Sequence, residues 1–278
     1  MPTAPTRAWT PDDPTPRDLW DALGLAPAGV VTLVGAGGKT TLAHALADEA
    51  AATGASVLLT TTTHMGREPG LITDPDEAVR LLQHDESWLE APKAANSALE
   101  GPSRTLCSCS RPTQGRVVVA GRPTGAAKFT GFAADDLDRL RRAADVTVIE
   151  GDGSRRLPFK VPAAHEPVVP AWTDLLLIVA GATALGRPLG EVCCRVEVAC
   201  TLLADPDAAA RVLDPALAAR LLRAGYLDNP ALTAWSGRRA VVVNQVDDPA
   251  DRLAHAFAAR LDGEPVIFTS SNPQGRTP

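Results

Sequence analysis

Val30, Val31, Leu33 and Val34 form a short β-branched apolar run that ends at Gly35, and beyond Gly38 the spacing changes, with Leu42, Ala45, Leu46 and Ala50 recurring every three or four residues. A switch from strand to helical period across a glycine turn predicts a strand–turn–helix unit, with Gly54 as the helix stop. The pattern recurs down the chain. Apolar runs predict strands at Ser56–Thr60, Arg116–Ala120, Asp145–Glu150, Asp174–Ala180, Arg239–Val243 and Pro265–Thr269. Helical spacing predicts helices over 74–90, Ala133–Ala144, 196–204, 214–224 and Pro249–Leu261. Strands alternating with helices imply an α/β fold with a mostly parallel sheet flanked by helices on both faces. Such sheets gather ligands at the carboxyl ends of their strands.

The remaining stretches set the domain plan. Residues 1–27 carry many prolines and little periodicity, which predicts a loose leader ending in a short helix around Asp18–Leu23. Residues 28–278 then form one nucleotide-binding-type domain, interrupted by a Pro/Ser/Gly/Cys-rich surface excursion near 91–114 and by a polar, proline-rich connection over 151–173.

Composition narrows the function classes. A formal charge of −6 argues against a general nucleic-acid or acidic-membrane surface, since both need a basic face. The longest apolar run, Leu175 to Leu185, is too short for a bilayer span, which takes about 20 residues. The acidic, proline-rich start does not read as a signal peptide, so a cytoplasmic protein is expected. Five cysteines, Cys107, Cys109, Cys193, Cys194 and Cys200, make no disulfide framework in a chain of 278 residues. Cys107 and Cys109 are a thiol pair without the further ligands a tetrahedral metal site needs.

The glycine turn carries the sharpest chemistry. Gly35-Ala36-Gly37-Gly38-Lys39-Thr40-Thr41, between strand and helix, reads as a phosphate-binding loop in which backbone N–H groups and a helix N-terminus face phosphate oxygens. Lys39 would reach the β- and γ-phosphates and Thr40 would hold Mg²⁺. The strict pattern has a glycine where this chain has Leu33, so the loop is a variant.

Other polar clusters also follow predicted strands. Thr60-Thr61-Thr62-Thr63-His64 either extends a β-rich strand or places hydroxyls, Thr62 among them, beside the metal, with His64 facing substrate. Glu150 and Asp152 follow the most apolar strand, where a carboxylate that serves Mg²⁺ or the attacking water is expected. Unpaired burial of both would cost several kcal/mol, so they need a cation or exposure. Lys160, His165 and Glu166 lie on a proline-stiffened segment that would present them to a substrate or partner. Asn244-Gln245-Val246-Asp247 is close to the Asn-Lys-x-Asp pattern that reads guanine, and equally fits a turn capping the next helix.

Together, Val-Gly-Ala-Gly-Gly-Lys-Thr-Thr, Thr-Thr-Thr-Thr-His, Glu-x-Asp-Gly-Ser, Lys-x-Pro-x-x-His-Glu-Pro-x-x-Pro and Ala-Leu-Gly-Arg-Pro-Leu over 184–189 resemble the YqeC family of selenium-dependent hydroxylase accessory proteins. The resemblance covers about 28–273. It implies a P-loop NTPase that uses Mg²⁺ with GTP or ATP and assists maturation of molybdenum- or selenium-dependent hydroxylases. Gly35, Gly37, Gly38, Lys39 and Thr40 would bind phosphates and Mg²⁺, and Glu150 and Asp152 would serve the metal or water. Gly151 stands where the family usually has alanine. The expected partners are a nucleoside triphosphate and a client metalloenzyme or its maturation machinery, with a homodimer left open. Two other classes stay in view: a small-molecule kinase or Mur-like ATP-dependent ligase, and a nucleotide-switched carrier of metal or selenium.

Overall fold

The computed structural model describes residues 6–83, 115–233 and 235–270. In chain order, a hairpin of β1 (Arg7–Thr10) and β2 (Asp13–Arg17) and a short α1 (Leu19–Ala22) precede β3 (Gly29–Gly35) and α2 (Lys39–Ala52). There follow β4 (Ser56–Thr61), β5 (Met65–Gly66), α3 (Pro75–Leu82), β6 (Arg116–Val119), β7 (Arg122–Pro123), β8 (Lys128–Thr130), α4 (Ala134–Ala143), β9 (Val146–Glu150) and β10 (Phe159–Lys160). The second half holds β11 (Leu175–Gly181), α5 (Leu189–Val192), β12 (Cys193–Cys194), α6 (Val196–Leu203), α7 (Pro215–Leu222), α8 (Pro230–Thr233), β13 (Arg238–Asn244), α9 (Arg252–Ala258) and β14 (Val266–Ser270).

Among the described residues, nine strands form the main sheet in the order β2-β1-β14-β13-β11-β3-β9-β4-β6. Every pairing from β14 to β6 is parallel, and only the hairpin at the β14 edge is antiparallel. Both faces are covered, as parallel sheets require. Leu176, Ile178 and Ala180 of β11 pack into one core with Val241 and Val243 of β13. The alternate residues Leu175, Leu177 and Val179 pack into the other with Val31 and Leu33 of β3 and Leu42 and Leu46 of α2. A leucine buried in this way contributes roughly 1.5–3 kcal/mol. The topology aligns the ends of β3, β9, β4, β11 and β13 along one edge, so the polar clusters that follow them are assembled by the sheet.

Several expectations shift. The predicted loose leader is a hairpin in part: β1 pairs with β14, and Trp9 sits edge-on to Phe268 at 6.4 Å between ring centroids. Proline obscured this because Pro14 and Pro16 lie on the outermost strand β2, where a missing N–H costs nothing. The last helix begins at Arg252 rather than Pro249, because the Asp251 carboxylate accepts from the N–H groups of Leu253 and Ala254 and caps it there. The helix over 214–224 continues as a π turn through Arg223–Leu227. The connection 151–173 contains β10, which pairs with β12. The excursion at 91–114, with Cys107 and Cys109, and the later part of the helix expected over 74–90 lie outside the described residues.

Candidate functional site

The glycine turn after β3 is left-handed throughout its glycines, with φ of 96° at Gly35, 90° at Gly37 and 101° at Gly38. At Gly37 the space is also closed, since a Cβ there would overlap the Gly181 backbone. The Ala36 N–H donates to Val179 O at 2.8 Å, pinning the loop to the end of β11. From β13, the buried Asn244 side-chain amide donates to Gly37 O at 2.6 Å and is itself fixed by the Thr269 hydroxyl, which donates to Asn244 Oδ1 at 2.7 Å. Three strand ends therefore hold the loop in place.

Beside it the acids and bases alternate. Glu150 Oε1 lies 3.9 Å from Lys39 Nζ; Lys39 Nζ is 3.1 Å from Asp152 Oδ1; Asp152 Oδ2 is 3.1 Å from Lys160 Nζ. Lys160 Nζ then lies 2.9 Å from Glu166 Oε2, and Glu166 accepts two 3.0 Å hydrogen bonds from the Arg195 guanidinium. Six charges in alternating order neutralise one another, which resolves the cost of burying carboxylates beside the glycine loop. Asp152 is the hub. It also accepts from the Gly35 N–H at 3.0 Å and from the Tyr226 hydroxyl at 3.0 Å.

Glu150 faces the loop differently. Its Oε2 accepts from the Thr40 hydroxyl at 2.8 Å, so the first turn of α2 and the end of β9 meet at a hydroxyl–carboxylate pair. Its backbone carbonyl accepts from the Thr61 hydroxyl at 2.7 Å and from the Thr62 N–H at 3.1 Å. Burial pushes the Glu150 carboxyl above its ordinary range, opposed by Lys39 and by the Thr40 hydrogen bond. Glu166 goes the other way. Burial alone would raise it, but hydrogen bonds from Arg195, Lys160 and the Ala163 N–H outweigh that and hold it at about 2. Burial also lifts the Cys194 thiol and takes Tyr226 well above the usual phenol range.

These groups open on a cleft of about 850 Å³. Gly37, Gly38, Lys39, Thr40, Thr41, His64, Glu150 and Glu166 line it, so these expected residues come together. Gly35 and Ala36 are the buried part of the loop and do not line the cleft, and Asp152 and Lys160 are buried as well. Thr62 spends its hydroxyl on Val168 O at 2.8 Å, while its neighbour Thr63 lines the cleft. His165 is exposed and does not line the cleft. Asn244 is committed to Gly37, and Asp247, on an exposed turn, accepts from the Ser270 hydroxyl at 2.9 Å.

The sequence reading missed Arg195, Tyr226, Lys128 and the pair Arg155 and Arg156. Tyr226 is the chain's single tyrosine, and only the π turn swings it onto Asp152. Arg155 and Arg156 were readable in principle, since they follow Glu150-Gly151-Asp152 closely, but nothing in the spacing said that they line the same cleft as the loop.

Fold and site define an α/β protein whose large, mostly parallel sheet carries a glycine loop and a buried ion-pair chain at its strand ends. The chain belongs to the YqeC family, whose pattern it matches over residues 31–197. It is 33% identical over 159 residues to the uncharacterized protein YqeC of Escherichia coli (strain K12), an alignment covering 56% of this chain and 53% of that protein. The match thus spans about half the length of that relative. No solved structure gives a significant match.

Proposed function

We propose that this chain is a Mg²⁺-dependent nucleoside triphosphatase that takes GTP or ATP in the cleft. One juxtaposition carries the reading: a left-handed glycine loop at the N-terminus of α2 opens on the same cleft as the Thr40–Glu150 pair. Backbone N–H groups at a helix start favour phosphate oxygens, and α2 with its 14 residues supplies a full helix dipole.

Thr40 and Glu150 are the residues that would hold Mg²⁺. A hydroxyl and one carboxylate suit a hard cation that keeps its remaining positions for water and phosphate oxygens. Among the described residues no cluster of three or more His, Cys, Asp and Glu could hold a metal alone, which fits a cation that arrives with its nucleotide. When bound, the ion would neutralise charge developing on the phosphates.

Lys39 is poised for exchange. Its ammonium donates to Gly35 O at 2.6 Å and rests against Asp152, and on phosphate binding it would turn to the anion while Asp152 keeps Lys160, Tyr226 and the Gly35 N–H. The biological setting follows the family resemblance: accessory work in maturing molybdenum- or selenium-dependent hydroxylases.

Calorimetric titration with GTP, ATP and slowly hydrolysed analogues, with and without Mg²⁺, tests the reading. Binding that needs Mg²⁺ for full affinity, with turnover abolished in Lys39→Ala, is expected. Unchanged hydrolysis in Lys39→Ala would end it.

A further inference from the structure

The cleft on which the glycine loop opens also gathers cations. Lys128 of β8, Arg155, Arg156 and Arg195 line it together with Lys39, against two lining carboxylates among the described residues, Glu150 and Glu166. In a chain of net charge −6 this is a marked local excess. Some of it is internally balanced, since Arg195 is bound to Glu166 and Lys39 to Asp152. Lys128, Arg155 and Arg156 have no ion pair among the described residues, and all three are exposed. An anion in the cleft would meet three cations that no carboxylate among the described residues neutralises.

The backbone at the arginines supplies an independent observation. Ser154 to Leu157 form a tight turn closed by Leu157 N–H to Ser154 O at 3.0 Å, with φ of 52° at Arg155 and 63° at Arg156. A turn with both central residues left-handed takes Asn and Gly for preference, because a Cβ is strained there. Arginine at both positions runs against local stability. What the two side chains gain is a place on the cleft wall, where planar guanidinium groups can pair with phosphate oxygens through two bonds each.

We propose that the cleft holds a second anion besides the one on the glycine loop: a phosphate-bearing small molecule bound by Arg155, Arg156 and Lys128. The inference rests on the phosphate-loop reading only for the first anion. The volume of about 850 Å³ lies toward the upper end of the roughly 300–1,000 Å³ common for ligand sites. The two cationic groups belong to different elements: Lys39 to α2, the arginines to the turn after β9, with Lys128 on β8.

The turn chemistry gives a test in which stability and binding move in opposite directions. The probe is inorganic pyrophosphate, followed by calorimetry on the full chain, for wild type, Arg155→Asn/Arg156→Gly and Lys39→Ala. Wild type is expected to take two equivalents. The double variant should keep or raise its melting temperature while losing one equivalent, its affinity weakened at least about tenfold, in line with the loss of charge-assisted hydrogen bonds. Lys39→Ala should lose the other equivalent. A single equivalent in wild type, undiminished binding by the double variant, or a clear drop in its melting temperature would each overturn the proposal. If instead Lys39→Ala still takes two equivalents, the loop reading falls while the arginine site stands.

Discussion

The Thr40 hydroxyl donates to the Glu150 carboxylate at 2.8 Å, joining two residues 110 positions apart in the chain. One begins the helix after the glycine turn and the other ends the strand beside it, so the pair exists because β3 and β9 are neighbours in register, Leu33 opposite Glu150. A carboxylate buried there is costly alone, and its raised proton affinity records that cost.

Glu150→Gln should therefore separate stability from function. The neutral amide relieves desolvation and still accepts from Thr40, while Lys39 keeps Asp152, so melting temperature in the absence of ligand should hold or rise. Mg²⁺-dependent nucleotide binding should weaken at least about tenfold, the scale of one charge-assisted contact. Parallel thermal melts and Mg²⁺ titrations check both halves, and equal Mg²⁺ dependence in both proteins would contradict the assignment.

Gly37 and Gly54 share a left-handed backbone, with φ of 90° and 97°, but not their surroundings. A Cβ at Gly37 would run into Gly181, whereas nothing lies within 4 Å of one at Gly54. Alanine at Gly54 should cost only the roughly 1–2 kcal/mol of left-handed strain. Alanine at Gly37 should cost more and abolish nucleotide binding. Denaturant unfolding of the two variants side by side isolates the packing contribution, because the strain is common to both.

Glu166 predicts an acid limb. Its carboxyl is held at about 2 against an ordinary 4.5, so the stability it contributes is complete above the unfolded value and is lost as pH falls from about 4.5 toward 2. Glu166→Gln should flatten that limb, lower stability at neutral pH and leave the alkaline side unchanged. Melting temperature measured against pH for both proteins provides the check.

His44 predicts the opposite sign. Its imidazole lies 2.7 Å from Glu68, and that hydrogen bond, opposed by burial, raises it above the ordinary 6.5. The contribution is therefore fully present below pH 6.5 and lost as pH rises through the higher folded value. Since His44 is on α2 and Glu68 follows β5, the clasp ties the loop's helix to the segment carrying His64. Hydrogen exchange in 64–68 should speed up with rising pH in wild type and be nearly independent of it, beyond intrinsic chemistry, in His44→Gln.

Much of this architecture was open to reading in the chain. The seven apolar runs after the leader all became strands, because a parallel strand covered on both faces must be apolar almost throughout, and Val146–Glu150 or Leu175–Gly181 have few other destinations. The glycine turn was readable for the same local reason: three left-handed positions accept little else. The hairpin at Arg7–Arg17 was not, since its pairing with β14 lies more than 250 residues away in the chain and its prolines carry the signature of a loose segment.

By itself, then, the order of residues determined the α/β alternation, the loop at Gly35–Lys39 and the presence of acids after β9, all of which depend on neighbours within a few positions. Only the folded sheet decided which charges meet: that Asp152 is shared by Lys39, Lys160 and Tyr226, that Asn244 holds the loop, and that Arg155 and Arg156 line the same cleft as the loop. Electrostatic energy depends on separation in space and on burial, and neither is set until the strands have been placed side by side.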